Sequence, residues 1–409
     1  MPAACDRTAA VTSSSPATAQ VQAGPVANLL WVHQRFGKPQ VYAVLLLGIM
    51  LCQGVFLASR IPLSTQELSY VHGGEGEMGV LEGSGMLPAS PQLHSPLVGS
   101  LARLSVPAIM PADADSSFWR VMLRLPFLFV GSLLGASLWY VSRRLYGNLA
   151  GYAALTLFVF SAPVLLRSCT VAPDILAAWG TFGCVFTGIA VAHTLYAPRE
   201  VVLWNWRRIL LLGVSIGVAT ASAFITFVAI PLALVFMWYL VPHRRRAALA
   251  ILLASCVIGA IVLLAAFHFD LARVHPFMRS GFLSTGTTFF TRGVGIALGS
   301  FLMSNGPAFA ALFLVSIAVY IVCSKARFFG TTAPLLTAIF LVFVAVTAGH
   351  RNVMVLLTTA LPFLCVFMAG IVADLLEVKN RWSGLTKATV LAVLCSHALF
   401  SISGLVRLL

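Results

Sequence analysis

The chain has 409 residues, of which 59% are hydrophobic and only 9% are charged. A soluble domain carries about 25% charged residues, so this composition excludes a water-soluble globular protein and indicates an integral membrane protein. The net charge of +14 does not indicate nucleic-acid binding, because the basic residues fall in short loops between apolar runs, where they set membrane topology.

The N-terminal segment is rich in Ala, Ser, Thr and Pro and has no apolar period. We therefore expect residues 1–38 to be a disordered cytoplasmic tail and residues 39–409 to form one transmembrane domain. The tail does not have the pattern of a signal peptide, because the first apolar run comes too late in the chain.

Apolar runs follow almost without a break, and a helix needs about 20 such residues to cross a bilayer. The predicted spans are 41–58, 121–141, 149–166, 175–196, 209–241 (divided in two), 247–267, 295–323, 331–348, 354–372 and 385–405. The run 295–323 is overlong and is expected to begin with an interfacial turn. Together they predict an all-α, polytopic transmembrane helix bundle with about eleven spans.

Charge decides how the long run 209–241 is divided and how the bundle is oriented. A turn near residues 224–229 keeps Arg244, Arg245 and Arg246 on the same side as the other basic loops. With the N-terminus in the cytoplasm, most of the 26 Lys and Arg residues are cytoplasmic, as the positive-inside rule requires. The C-terminus is then outside, and we expect a multi-pass protein of the bacterial inner membrane.

This topology places the polar residues of interest in the outer loops, above all in the first one, 60–119. No acidic residue falls in the middle of a predicted span, which argues against an ion-coupled carrier. Short motifs then occur in a fixed order along the chain. They are Glu67 with Tyr70, His94-Ser95-Pro96-Leu97, Arg124 with Pro126, Arg143-Arg144-Leu145-Tyr146-Gly147, Pro173-Asp174, and Arg351 with Pro362.

In order and spacing, these motifs resemble those of the membrane glycosyltransferases that use polyprenyl-phosphate sugars. This GT-C-type class includes protein O-mannosyltransferases and the aminoarabinose transferases of lipid A. The resemblance covers roughly residues 40–205 well and is loose beyond them. It implies a GT-C-like bundle with a helical, juxtamembrane first outer loop. It also implies transfer of a sugar from a polyprenyl-phosphate donor to an acceptor at the outer, periplasmic face.

The chain departs from the family pattern at two positions. The family usually carries its catalytic acid as the first residue of a pair after the first span, and here Gln66 stands at that place with Glu67 beside it. The first proline of the family's His-Pro-Pro-Leu element is replaced by Ser95. The first departure leaves two alternatives open: Glu67 has taken the catalytic role, or the chain is not a catalyst.

Two carboxylates are the candidate catalytic residues. Glu67 is predicted to be the general base for the acceptor hydroxyl, with a solvated loop glutamate as the alternative. Asp174 is predicted to orient the acceptor or to cap the helix that follows it, and the two roles are compatible. Tyr70, in the same motif as Glu67, is assigned to substrate binding.

The candidate partners of the donor phosphate are His94, Arg273, His275 and Arg351. Arginine forms forked contacts with phosphate oxygens, although a juxtamembrane arginine equally binds lipid headgroups. Arg124, a further substrate-site candidate, is expected either to bridge the outer loop or to snorkel to the interface. A divalent metal is left open as an alternative cofactor, held by members of the set Glu67, His94, His268, Asp270 and His275, although their spacing fixes no site.

The sequence is compatible with three functions. The first is a transferase whose partners are membrane lipids, the lipid-linked sugar donor and an unknown acceptor. The second is a non-catalytic descendant of the fold, a structural or lipid-binding subunit with membrane protein partners, which Gln66 favours. The third is a carrier or flippase of a lipid-linked substrate, which the lack of acids within the spans disfavours.

Overall fold

The computed structural model describes residues 39–72, 95–105, 116–195, 206–283, 292–323, 326–347, 353–377 and 383–407. Residues 42–409 form one compact unit, and residues 1–41 form another, of which only residues 39–41 are described. The predicted tail 1–38 lies outside the described residues, as do His94 and Arg351.

The described residues form helices and no β-strand, which confirms the all-α fold class. The helices are α1 Pro39–Arg60, α2 Thr65–His72, α3 Pro96–Arg103, α4 Ser117–Tyr146, α5 Asn148–Val159, α6 Ala162–Ser168, α7 Asp174–Thr194, α8 Trp206–Ser222, α9 Ala229–Leu240, α10 Arg245–Ala266, α11 Leu271–Leu283, α12 Arg292–Ser304, α13 Pro307–Val322, α14 Phe329–Thr347, α15 Val353–Glu377 and α16 Ser383–Arg407. Short 3₁₀ turns, Phe224–Val228 and Pro242–Arg244, precede α9 and α10. The first outer loop is helical where it is described, in α2 and α3.

Within the described residues, seven helices are long and apolar enough to cross a membrane, namely α1, α4, α7, α10, α14, α15 and α16. The bent pair α5 and α6 gives an eighth if it is one span. The chain is therefore a multi-pass membrane protein, but the predicted count of eleven is not confirmed. Each predicted run does coincide with helix, and the run 209–241 is divided by the turn Phe224–Val228 at the expected place.

The periphery of the bundle is apolar on the side that faces away from the protein. On α10, Leu253, Val257 and Ile261 recur at helical spacing and are all exposed. A water-soluble protein would not present such a stripe, whereas lipid solvates it without cost. This pattern agrees with the membrane assignment that composition alone predicted.

The centre of the bundle is formed by α7 and α15, which are buried along most of their length. Helix α15 packs against α5, α7 and α14, and α7 also packs against α8 and α9. Phe182 of α7 and Phe363 of α15 meet with ring centroids 5.3 Å apart. Helix α7 also carries Asp174 as its first residue, so the site described below is attached to this buried core.

Helix α3 closes one end of the bundle, where α1 and α8 end and α7 begins; we call it the Asp174 end. Ser95, just before α3, donates a hydrogen bond from its hydroxyl to the carbonyl of Ala221 at 2.6 Å. Gly99 lets α3 approach α2, because a Cβ at this position would lie 2.9 Å from the carbonyl oxygen of Tyr70. Ser95 thus joins the start of α3 to the end of α8.

Candidate functional site

Helix α2 begins with a capping box that orients Glu67. The Glu67 backbone N–H donates to the Ser64 hydroxyl at 3.2 Å, and the Ser64 backbone N–H donates to Glu67 Oε2 at 2.9 Å. This reciprocal pair satisfies two otherwise unpaired donors at the helix start. It turns the carboxylate of Glu67 back along the helix toward α4.

Arg124 of α4 is fully buried and uses every N–H it has. Its Nε donates to Glu67 Oε1 at 2.8 Å, and its Nη2 donates to Glu67 Oε2 at 2.7 Å. The remaining donors go to the carbonyls of Ala58 at 3.0 Å, Ile61 at 2.8 Å and Pro62 at 3.0 Å. Arg124 therefore bridges α4 to the last turn of α1 and the segment that follows it, and does not snorkel. It has no N–H left for a phosphate.

Glu67 is held from a third side by the turn before α7. The Val171 N–H donates to Glu67 Oε1 at 3.1 Å, and the Ser64 hydroxyl lies 3.2 Å from Oε2. Burial raises the pKa of Glu67, but the hydrogen bonds and the charge of Arg124, together with the backbone N–H groups of Ser64 and Val171, outweigh it and leave the pKa below its ordinary value. We call this set, Ser64, Glu67, Arg124 and Val171, the Arg124 junction.

Asp174 carries a buried carboxylate with only one of its two oxygens paired within the described residues. It is the first residue of α7 after Pro173 at the N-cap position, and its side chain is only 4% exposed. Oδ2 lies 3.5 Å from Nη1 of Arg167, whose side chain is 37% exposed. Oδ1 is buried and has no hydrogen-bond partner among the described residues. A buried carboxylate oxygen without a donor is uncommon in folded proteins and marks a candidate ligand position.

Tyr70 and Gln66 complete the surroundings of Asp174. Burial raises the pKa of the Tyr70 phenol, the negative charge of Asp174 raises it further, and a hydrogen bond with the Gln66 side chain acts in the opposite direction. The Tyr70 hydroxyl therefore stays protonated. We call Gln66, Tyr70, Arg167 and Asp174 the Asp174 cluster; with an amide at position 66, Asp174 is its only carboxylate.

The structure brings together four of the residues that the sequence singled out: Glu67, Tyr70, Arg124 and Asp174. Arg273 and His275 lie elsewhere, exposed on α11, with Arg273 Nε 3.1 Å from Asp270 Oδ2. Among the described residues, no group of three His, Cys, Asp or Glu side chains is placed to hold a metal ion.

Arg167 was missed by the sequence reasoning. The available signal was a basic residue in the same short loop region as the Pro173-Asp174 motif. The sequence places Asp174 at a helix start, where a carboxylate is favourable, but neither its ion pair with Arg167 nor its burial could be read from the sequence.

Comparison with known proteins gave similarity at the level of structure only. No protein-family model matches the chain, and no curated protein matches it. An oligosaccharyltransferase, AglB from Archaeoglobus fulgidus, solved with an inhibitory peptide and a dolichol-phosphate, has 14% identity and a TM-score of 0.46, covering 76% of this chain and 48% of that one. An oligosaccharyltransferase from the same organism, solved in the apo form, gives the same values. The form tethered to an acceptor peptide with the NVT sequon has 15% identity and a TM-score of 0.46 over 76% of this chain and 47% of that one. The chain thus spans about half the length of these proteins.

Proposed function

We propose that this chain is a membrane glycosyltransferase that moves a sugar from a polyprenyl-phosphate donor to an acceptor hydroxyl at the outer face of the membrane. The ordered motifs between residues 40 and 205 support it. The observation that carries it is the Asp174 cluster, where a buried carboxylate keeps one oxygen unpaired beside a partly exposed arginine. The proposal includes the N-in, C-out orientation in a bacterial inner membrane.

The proposed reaction divides the work between Asp174 and Arg167. The acceptor hydroxyl gives its proton to Asp174 Oδ1 as its oxygen forms a bond to the anomeric carbon of the sugar. The bond from that carbon to the phosphate oxygen breaks, and the polyprenyl phosphate leaves with the electron pair. The Arg167 guanidinium donates hydrogen bonds to the leaving phosphate. The Asp174 charge also favours the positive character that develops on the sugar ring.

This proposal gives Glu67 a positioning role, whereas the motif suggested that it is the general base. Its role as the base stays a prediction, but five hydrogen bonds and a lowered pKa favour a carboxylate that holds Arg124. The Arg124 junction and the Asp174 cluster share the turn that contains Val171. Glu67 is therefore proposed as a positioning residue and Asp174 as the catalytic base.

Mass spectrometry of the lipids retained by the gently purified protein tests the donor class. We expect polyprenyl phosphate or its glycosylated form, with retention lowered in Arg167→Gln and unchanged in the control Arg273→Gln, whose arginine lies on α11. Loss in Arg273→Gln instead would move the phosphate site to α11, where Arg273 and His275 were predicted to act. Bulk phospholipid alone would count against the transferase.

A second candidate function is a non-catalytic subunit of a membrane assembly. Two observations favour it: Gln66 is neutral where the family carries its acid, and the Glu67 carboxylate is saturated. This candidate predicts that the protein co-purifies with membrane proteins in fixed ratio and retains no polyprenyl phosphate.

A further inference from the structure

A break between α5 and α6 releases one backbone carbonyl inside the bundle. The two helices are bent by 67° relative to each other. At the break, the Ser161 N–H donates to the Phe158 carbonyl at 3.2 Å, so it does not reach Leu157, four residues back, as it would in a continuous helix. The Leu157 carbonyl therefore needs another donor, because an unpaired buried carbonyl is costly in a membrane.

His397 of α16 supplies that donor. Its Nε2 lies 3.2 Å from the Leu157 oxygen, and the residue is only 1% exposed. A carbonyl oxygen only accepts, so the contact requires a proton on Nε2 and leaves a lone pair on Nδ1. Nδ1 has no partner within hydrogen-bond distance among the described residues, although the backbone carbonyl of Asn305 also faces the ring. An ionisable side chain at this position of an apolar helix calls for a specific role.

A second helix break meets the first at the same place. Helix α12 ends at Ser304 and α13 begins at Pro307, with Gly306 between them at φ +84°. Asn305 is buried there; its Nδ2 donates to the Phe301 carbonyl at 2.9 Å, and its Oδ1 accepts from the Ser161 hydroxyl at 2.7 Å. We call Leu157, Ser161, Asn305 and His397 the break cluster.

Helix α6 runs from the bend to the Asp174 end, so the bend angle determines where the residues at its far end lie. It has only seven residues, and Arg167, which pairs with Asp174, lies in its last turn. The Val171 N–H, which reaches Glu67, lies three residues after the helix ends. With a rise of about 1.5 Å per residue, a change of about 15° at Ser161 moves Arg167 by roughly 2 Å, enough to separate it from Asp174.

We propose that His397 is a positioning residue: by donating to the Leu157 carbonyl it holds the bend between α5 and α6, and thereby places Arg167 and the Val171 N–H at the Asp174 cluster. Asn305 fixes the same bend through the Ser161 hydroxyl. The catalytic consequence of this placement rests on the proposed function, but the placement itself is open to a test that needs no substrate.

Cys169, just after α6, reports on this placement. It is buried, and its Sγ lies 3.3 Å from the Gly54 carbonyl of α1. Burial raises the pKa of its thiol to about 12, although Arg124 lowers it and Glu67 raises it further. In a chain whose other seven cysteines are replaced, Cys169 should therefore react slowly with a neutral maleimide.

The test compares three variants in that single-cysteine chain. His397→Leu removes the donor and should speed labelling of Cys169 by about ten- to hundredfold, the effect of leaving one buried carbonyl unpaired. His397→Gln keeps an N–H near the Nε2 position and should restore slow labelling. Ser401→Ala is the matched control, because Ser401 is buried one turn further along α16 and its hydroxyl has no partner among the described residues. Equal labelling in the Leu and Gln variants would overturn the proposal.

A second measurement examines the contact between His397 and Leu157 in the wild-type protein. Nitrogen-15 NMR of histidine-labelled protein, with the His397 signal assigned by its absence in His397→Gln, should show a proton on Nε2 and none on Nδ1. A proton on Nδ1 alone would overturn the contact with Leu157. If His397→Leu speeds labelling of Cys169 but the protein transfers no sugar, the positioning role stands and the proposed function is contradicted. If the protein transfers sugar but His397→Leu leaves the labelling rate of Cys169 unchanged, the proposed function stands and the positioning role is contradicted.

Discussion

At the scale of single residues, the guanidinium of Arg124 determines how α1, α2 and α4 meet. All five of its N–H groups are used within the protein, and its partner Glu67 is buried as well. Two buried charges of this kind are tolerated only together, because removing either leaves the other without compensation. The Arg124 junction is therefore expected to matter more for stability than an exposed ion pair.

Glu67→Gln should lower the free energy of unfolding by about 3–5 kcal/mol, since it leaves the Arg124 charge buried and unpaired. Thermal unfolding of the detergent-solubilised protein measures this. The matched control is Glu377→Gln, an exposed glutamate at the end of α15, which should change stability by less than about 0.5 kcal/mol. Equal stability of the two variants would contradict the buried pair.

The lowered pKa of Glu67 sets a direction for pH dependence. A carboxyl whose pKa is lower in the folded state contributes stability above its unfolded pKa of about 4.3, and that stability is lost as the pH falls through the folded value. The wild-type unfolding temperature should therefore fall on acidification below about pH 4 more steeply than that of Glu67→Gln. Parallel curves for the two proteins would contradict this assignment.

The sequence identified the candidate residues but did not reveal the contacts between them. The order of motifs identified Glu67, Tyr70, Arg124 and Asp174, and the structure brings all four to one end. The motif could not reveal that Glu67 is saturated while Asp174 keeps a free oxygen, because hydrogen bonds from Val171 and the burial of Asp174 depend on tertiary packing. Those contacts are what move the proposed base from Glu67 to Asp174.

At the scale of helices, the breaks matter more than the spans. Hydropathy located the apolar runs, and charge located the turn Phe224–Val228. The bend at Ser161 falls inside a run predicted as one helix, and the break at Gly306 falls inside the overlong run that was expected to begin with a turn. Hydropathy is averaged over many residues and carries no information on backbone direction. The positions of the two bends could therefore not be predicted from the sequence.

A side chain at position 306 should destabilise the protein. Its φ of +84° disfavours L residues, and a Cβ would lie 2.3 Å from the Phe400 ring of α16. We expect Gly306→Ala to cost at least about 1–2 kcal/mol of unfolding free energy. Gly299→Ala, on α12 with nothing within 4 Å of its Cβ, should be neutral or favourable by up to about 1 kcal/mol. Similar melting temperatures for the two variants would contradict the break.

At the scale of the whole molecule, the two ends of the bundle differ in chemistry. The Asp174 end carries the buried carboxylates. At the opposite end, Arg244 donates a hydrogen bond to the Leu195 carbonyl just after α7, and Arg143 stacks over Trp139 of α4. Over the full sequence, 16 of the 26 Lys and Arg residues fall in or beside the segments that the predicted topology places in the cytoplasm, so the proposed orientation follows the positive-inside rule.

Membrane-impermeant maleimide tests this orientation in intact cells. In a cysteine-free chain, Asp270→Cys should be labelled from outside, because the Asp270 side chain, just before α11, is 42% exposed. Arg246→Cys, exposed at the start of α10, should be labelled only after the membrane is permeabilised. The opposite pattern would place the Asp174 end in the cytoplasm and contradict transfer at the outer face.

The most direct test of the proposed transferase is sugar transfer by the purified protein in proteoliposomes that contain polyprenyl-phosphate mannose, glucose or aminoarabinose and a bacterial membrane extract as the source of acceptor hydroxyls. The readout is release of polyprenyl phosphate above that in liposomes without the protein. We predict release by the wild type and a loss of about 10²- to 10⁴-fold in Asp174→Asn, the contribution of a general base. No release by the wild type from any of these donors, or undiminished release by Asp174→Asn, would contradict the account.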